Sequence, residues 1–270
     1  MRNAGFRYTS ISNLGKVLRG QIDMSKIHLI GRSLALLGSL SFAAGFGAVA
    51  QAETTGLIGD ETFQAMFSCV PAKSADGAPL AAAVHCQSDI NPSLPRFDFQ
   101  LVGHLDSATG IHVLDRIEIL RSGEATPFQT ISPVNSSVPD SVANYGFEAI
   151  DANFDGYLDL RVISFLPAGP NIPYENWLWS PDKGKFVASP ALDKITSPQF
   201  DADAQEITSH WRSSAAEQGT DVYAYDGATP VLIHRETDTY GADGSCTRVY
   251  YDQIDDELRK NGTGPCAADD

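Results

Sequence analysis

From Arg96 onward, apolar and polar residues alternate in short runs divided by turn residues. Phe97-Asp98-Phe99-Gln100-Leu101-Val102 carries the period of two that a half-buried strand requires, and His112 to Leu120 gives another strand. Arg121-Ser122-Gly123-Glu124 turns the chain and Phe128 to Ile131 returns it. Phe147-Glu148-Ala149-Ile150 and Tyr157 to Ile163 form the next pair of strands. Leu166 to Glu175 holds three prolines and a glycine, which bar regular structure there. Asn176 to Trp179 is a strand, Ser180 to Gly184 a turn and Lys185 to Val187 a return. Phe200 to Ile207, Asp221 to Tyr225, Pro230 to His234 and Ser245 to Tyr251 continue the pattern. The tail from Asp252 to Lys260 reads as a strand or one helical turn. These strand–turn–strand units recur at roughly 40–50 residues, the spacing of propeller blades. The fold class is all-β and β-propeller-like, with a β-sandwich as the structural alternative.

The chain before Arg96 reads differently. Met24 to Arg32 is a short basic region, Ser33 to Ala50 an apolar run, and Ala50-Gln51-Ala52 a small-x-small cleavage site before Glu53. Residues 1–52 are therefore expected to be a secretory signal, with the part before Met24 an upstream extension. No cysteine stands at the cleavage point to carry a lipid. Residues 53–96 are Ala-, Ser- and Pro-rich, and are expected to be an irregular lead-in to a domain spanning 97–270.

Export changes the charge balance. Of the chain's 19 Lys/Arg and 34 Asp/Glu, residues 1–52 hold six and one, so the remainder carries 13 basic and 33 acidic residues, a net charge of −20. So acidic a protein has no electrostatic basis for binding nucleic acid or an anionic membrane, and is matched to a basic partner or to free solution. Four cysteines, Cys69, Cys86, Cys246 and Cys266, lie behind the signal. An even count in an exported chain implies disulfides in an oxidising compartment. Of the three possible connectivities we take the two local pairs, Cys69–Cys86 and Cys246–Cys266. Their spacings match no zinc motif.

One stretch carries chemistry. Asp151-Ala152-Asn153-Phe154-Asp155-Gly156-Tyr157-Leu158-Asp159 places oxygen-bearing side chains at loop positions 1, 3, 5 and 9, with glycine at 6. Ca²⁺ takes six to eight oxygens at about 2.3–2.6 Å, and the glycine permits the turn that brings alternate side chains inward. Asp151, Asn153, Asp155 and Asp159, with the backbone carbonyl of Tyr157, are the candidate ligands. Val162 stands where a complete EF-hand has its bidentate glutamate, and the flanks read as strands rather than helices. The expectation is a calcium-clamped β-turn.

Catalytic constellations are absent: there is no G-x-S-x-G, no H-E-x-x-H and no glycine-rich phosphate loop. We expect no enzymatic activity. Asp201-Ala202-Asp203 and Asp238 to Asp243 lack the full metal spacing and read as solvated acidic turns. The proline-stiffened loop ending at Tyr174 lowers the ordering cost of presenting a side chain to a partner. Tyr174, with Asn171 and Glu175, is the candidate partner-binding group.

Asn153-Phe154-Asp155-Gly156-Tyr157-Leu158-Asp159-Leu160-Arg161, followed by Tyr174-Glu175-Asn176-Trp177-Leu178-Trp179, Asp182-Lys183-Gly184-Lys185-Phe186, Pro198 to Asp201 and Val222-Tyr223-Ala224-Tyr225-Asp226-Gly227, is an ordered set. Over roughly residues 97–250 it resembles a family of exported bacterial proteins. These are the calcium-binding, β-propeller-like lysozyme inhibitors that serve as immunity proteins against secretion-system effectors. The resemblance implies an incomplete β-propeller, a bound Ca²⁺ and a periplasmic (or extracellular) location. It also implies inhibition of a lysozyme-like peptidoglycan hydrolase by a loop that plugs its cleft. A cell-wall or glycan-binding propeller module without inhibitory role is the alternative.

Overall fold

The computed structural model describes residues 56–58, 65–73 and 79–266; the expected signal segment lies outside them. The described residues form three antiparallel sheets in chain order and no α-helix. The first contains β1 (Gly56–Ile58), β2 (Ala65–Lys73), β3 (Pro79–Ser88), β4 (Phe97–Asp106), β5 (Ile111–Arg121), β6 (Gln129–Ile131) and β7 (Ser136–Pro139), the last pairing with β5 beyond β6. The second contains β8 (Glu148–Ile150), β9 (Asp159–Ile163), β10 (Tyr174–Ser180) and β11 (Lys185–Ala188). The third runs through β12 (Pro198–Asp201), β13 (Glu206–Arg212), β14 (Glu217–Asp226), β15 (Thr229–Tyr240), β16 (Cys246–Ile254) and β17 (Glu257–Pro265). Apart from β7, strands that are neighbours in sequence within a sheet are neighbours in space, the arrangement short polar turns produce.

One expectation is corrected and one open alternative is settled. The described part of residues 53–96 is not an irregular lead-in: β2 and β3 form a hairpin whose second strand pairs with β4, putting Cys86 opposite Phe99. The small residues of Pro79–Ser88 carry no alternation that the sequence displays. Pairing with a neighbouring strand, rather than intrinsic propensity, makes them a strand. The tail is strand, not helix, because Asp255 and Asp256 both take left-handed backbone (φ 50° and 63°) and close the β16–β17 hairpin. Both expected disulfides are present. Cys69 and Cys86 face each other across β2 and β3, and Cys246–Cys266 ties the start of β16 to the residue after β17.

The alternation on β4 becomes packing. Phe97, Phe99 and Leu101 are buried against the second sheet, where Phe97 meets Trp179 at 5.5 Å and Trp179 meets Phe186 at 5.0 Å between ring centroids. Trp177 and Trp179 thus belong to the core. Strand β9 is buried on both faces. Leu160 and Val162 enter this first core, while Arg161 turns to the third sheet, donating to the Pro198 carbonyl at 3.0 Å. A second, smaller core gathers Ala152, Leu192, Ile195 and Ile207, with Phe154, Leu178, Phe200, Tyr223 and Tyr225 packed on it. The second sheet therefore shares one core with the first sheet and the other with the third.

Strands β15 and β16 are mostly half-buried and are laced by ion pairs, Arg248 to Asp238 (2.6 Å) and His234 Nδ1 to Asp252 (2.6 Å) among them. The hydrogen bond to Asp252 holds the His234 pKa above the usual imidazole value, against a lowering by burial. A histidine with a raised folded pKa stabilises fully below its unfolded value of about 6.5, and that contribution is lost as pH rises through the folded value. Denaturant unfolding of the wild type is expected to lose more stability between about pH 6 and pH 8 than that of His234→Asn. Parallel pH profiles would show that this pair contributes nothing.

Candidate metal centre

The nine residues from Asp151, just after β8, to Asp159, the first residue of β9, fold as a tight loop whose alternate positions have opposite duties. Gly156 adopts φ 83°, as a sharp turn requires, and Phe154 is also left-handed at φ 61°. The odd positions turn inward. The Gly156 N–H donates to Asp151 Oδ2 (2.8 Å), the Asp155 N–H to Asp151 Oδ1 (3.1 Å), and the Tyr157 N–H to Asp155 Oδ1 (2.9 Å). Asn153 joins through its Nδ2, which donates to Asp155 Oδ2 at 3.0 Å. Asp159 closes the base with 1 % of its surface exposed. Its Oδ2 accepts the Ala152 N–H (3.0 Å) and its Oδ1 the Trp179 N–H of β10 (2.7 Å).

The electrostatics of the loop are those of a negative cluster without a countercharge. Burial pushes the Asp159 carboxyl up to about 8, opposed by the two N–H donors and reinforced by Asp155 and Asp151. Burial also raises Asp151. Among the described residues, the Lys, Arg and His ion pairs all lie elsewhere, the nearest in sequence being Arg161 with Glu148. A carboxyl withdrawn from water, as Asp159 is, either keeps its proton or takes a partner cation. The donor set here, carboxylates with one amide and one carbonyl oxygen, is that of a hard divalent cation.

In donor chemistry the residues present suit Ca²⁺, which Asp151, Asn153, Asp155, Asp159 and the Tyr157 carbonyl would hold. The three carboxylates stand wider than a closed cage. Among the described residues, the trio of acid, histidine or cysteine ligand atoms within 4.8 Å of one another is Asp238, Cys246 and Cys266, whose cysteines are spent in their disulfide. Asp238 is in any case paired with Arg248.

The loop is tied to all three sheets. The Leu158 N–H donates to the Ile90 carbonyl and Asn91 Nδ2 to the Gly156 carbonyl, both at 2.8 Å, just beyond β3. The Tyr225 hydroxyl of β14 donates to the Ala152 carbonyl at 3.1 Å. Burial, then the charges of Asp159, Asp151 and Asp155, raise the Tyr225 pKa. Sequence reasoning did not single out Tyr225, Asn91 or Phe154. The signal for Phe154 was present, an aromatic at an even position of a loop whose odd positions carry oxygen.

The proline loop is pinned just as firmly. The Ser164 N–H donates to the Pro173 carbonyl (2.9 Å) and the Ser197 N–H to the Ile172 carbonyl (2.8 Å). Asn171, expected to meet a partner, exchanges two bonds with the Arg212 backbone, each 2.8 Å. Glu175 accepts from the Asn135 backbone and side chain. Tyr174 is half-buried on the Arg161 guanidinium, 4.4 Å from its ring centroid, and burial raises its pKa. Arg161 in turn lies 5.4 Å over Phe200 and donates to Glu148 at 2.7 Å. The side chains the loop presents to solvent are instead Phe165 and Leu166, 53 % and 42 % exposed. Their sequence signal is two apolar residues placed after the strand alternation ends and before the first proline.

A comparison with family models and one with curated proteins give no match. Among solved structures, the chain is similar to one described as a Xanthomonas type IV secretion system related protein. The two share 18 % identity over 73 % of this chain and 99 % of that one, with a TM-score of 0.53. At that identity the likeness speaks for a shared all-β fold.

Proposed function

We propose that this protein is an exported, calcium-braced inhibitor of a lysozyme-like peptidoglycan hydrolase, working as an immunity protein in the periplasm. In this reading its three meandering sheets are blades of an incomplete β-propeller. The observation that carries the reading is a stiff, hydrogen-bonded proline loop that holds two apolar side chains in solvent, on a fold shared with a secretion-system related protein. Two intramolecular disulfides support export.

The mechanism is exclusion. Lysozyme-like enzymes cleave a glycan between two carboxyl groups in an open cleft. A pre-ordered apolar ridge seated there displaces substrate without having to order itself first. The net charge of −20 over residues 53–270 would draw in a basic enzyme and speed encounter. The loop's own residues divide the work: Asn171 fastens it to the backbone of Arg212, Tyr174 and Arg161 brace its far end, and Phe165 and Leu166 make contact. Calcium, when bound, would neutralise the acidic loop of Asp151–Asp159.

Hydrolysis of purified peptidoglycan by lysozyme-like hydrolases, with and without the protein, tests the reading, beginning with any whose gene adjoins this one. Inhibition that is complete near a one-to-one ratio is expected. Sugar binding with unaltered hydrolysis would favour a glycan-binding module, and release of wall fragments by the protein alone would make it an enzyme.

A further inference from the structure

The metal loop has two faces, and only one of them is accounted for by an ion. Its even residues, Ala152 and Phe154, leave the oxygen cluster and enter the second core. Phe154 meets Phe200 of β12 edge-on at 6.5 Å and Tyr225 of β14 at 6.2 Å and 88°. The Tyr225 hydroxyl then fastens the loop's backbone at Ala152. A phenylalanine in left-handed backbone is held there against its own preference, at a cost of order 1–3 kcal/mol that surrounding contacts must offset. The contacts that offset it come from the third sheet, and the turn that forces it is the one that aims the oxygens.

We propose that the loop is a joint through which cation binding secures the first three strands of the third sheet, β12–β14, with Phe154 and Tyr225 as its positioning residues. This rests on the calcium reading of the oxygen cluster. A cation contracts the odd positions, and because odd and even positions alternate along one backbone, the same contraction fixes Phe154 between Phe200 and Tyr225. Release of the ion loosens the wedge, and β12, β13 and β14 open with it. The β16–β17 hairpin, remote from the loop and closed by its own disulfide, lies outside the coupled unit.

Amide hydrogen exchange of the purified protein, in excess EGTA and in free calcium at a hundred times Kd, tests this. If loop and third sheet open together, both are slowed by the same factor, about a hundredfold. The amides of Asp155, Gly156 and Tyr157 report the loop, those of β12–β14 the third sheet, and those of β17 the uncoupled control. Slowing in the loop with unchanged exchange in β12–β14 overturns the joint while leaving calcium binding intact. Slowing in neither removes the calcium reading and the joint with it. In Phe154→Ala with Tyr225→Phe, the loop is expected to remain calcium-protected while β12–β14 no longer respond; an undiminished response there also overturns the proposal. Should that variant not fold, the wild-type comparison decides alone.

Discussion

Asp159→Ala is expected to lower stability by about 2–4 kcal/mol and to abolish any response to calcium. The carboxylate accepts two buried backbone N–H groups, from Ala152 within the loop and from Trp179 on β10. Alanine leaves both without a partner, at about 1–3 kcal/mol each. Removing an acid whose burial already raises its pKa to about 8 returns part of that cost. For a chain of this size, each kcal/mol moves the melting midpoint by about 2–4 °C, so a fall of about 5–15 °C is expected even in chelator. Asp159→Asn, which keeps one carbonyl acceptor, should fall less in chelator yet be equally deaf to calcium. If Asp159→Ala melts with the wild type in EGTA, the carboxylate does not hold the loop to the second sheet.

Replacing Phe165 and Leu166 together with serine is expected to weaken inhibition of the cognate hydrolase by about a hundredfold or more, with melting nearly unchanged. Truncating apolar anchors at the centre of an interface costs about 2 kcal/mol or more, and a factor of ten is 1.4 kcal/mol. Both side chains are largely in solvent, so their removal opens no cavity and should alter stability by no more than about 0.5 kcal/mol. Tyr174→Ala makes the instructive contrast. Its ring covers Arg161, which joins Glu148, Phe200 and the Pro198 carbonyl, so a loss of melting temperature is expected there whatever happens to inhibition. Inhibition constants for wild type and the double serine variant that agree within error would take Phe165 and Leu166 out of the contact.

What was legible in the chain follows from how local the cause is. The alternation of Phe97, Phe99 and Leu101 needs only its own strand, and the turn at Ser180–Gly184 carries its turn residues with it. The oxygen loop was legible for the same reason, since five donors and a glycine lie within nine residues. What was not legible depended on distant partners. Residues 79–88 become a strand because Cys86 faces Cys69 on one side and Phe99 on the other. Tyr174 was expected to reach a partner, and the pattern around it gave no warning that Arg161 would lie beneath its ring. Asn171 likewise looked free until the backbone of Arg212, 41 residues on, took both ends of its amide. Phe165 was hidden because exposure at the end of a strand is decided by what neighbouring sheets cover.

Thermal unfolding in calcium and in EGTA tests whether a divalent cation binds the Asp151–Asp159 loop and stiffens the scaffold. At free calcium a hundred times Kd the bound ion contributes about 2.7 kcal/mol, which should raise the midpoint by about 5–10 °C over the chelated protein. The rise should vanish in Asp151→Ala with Asp155→Ala. Midpoints that coincide in EGTA and in millimolar calcium would contradict the account at its base.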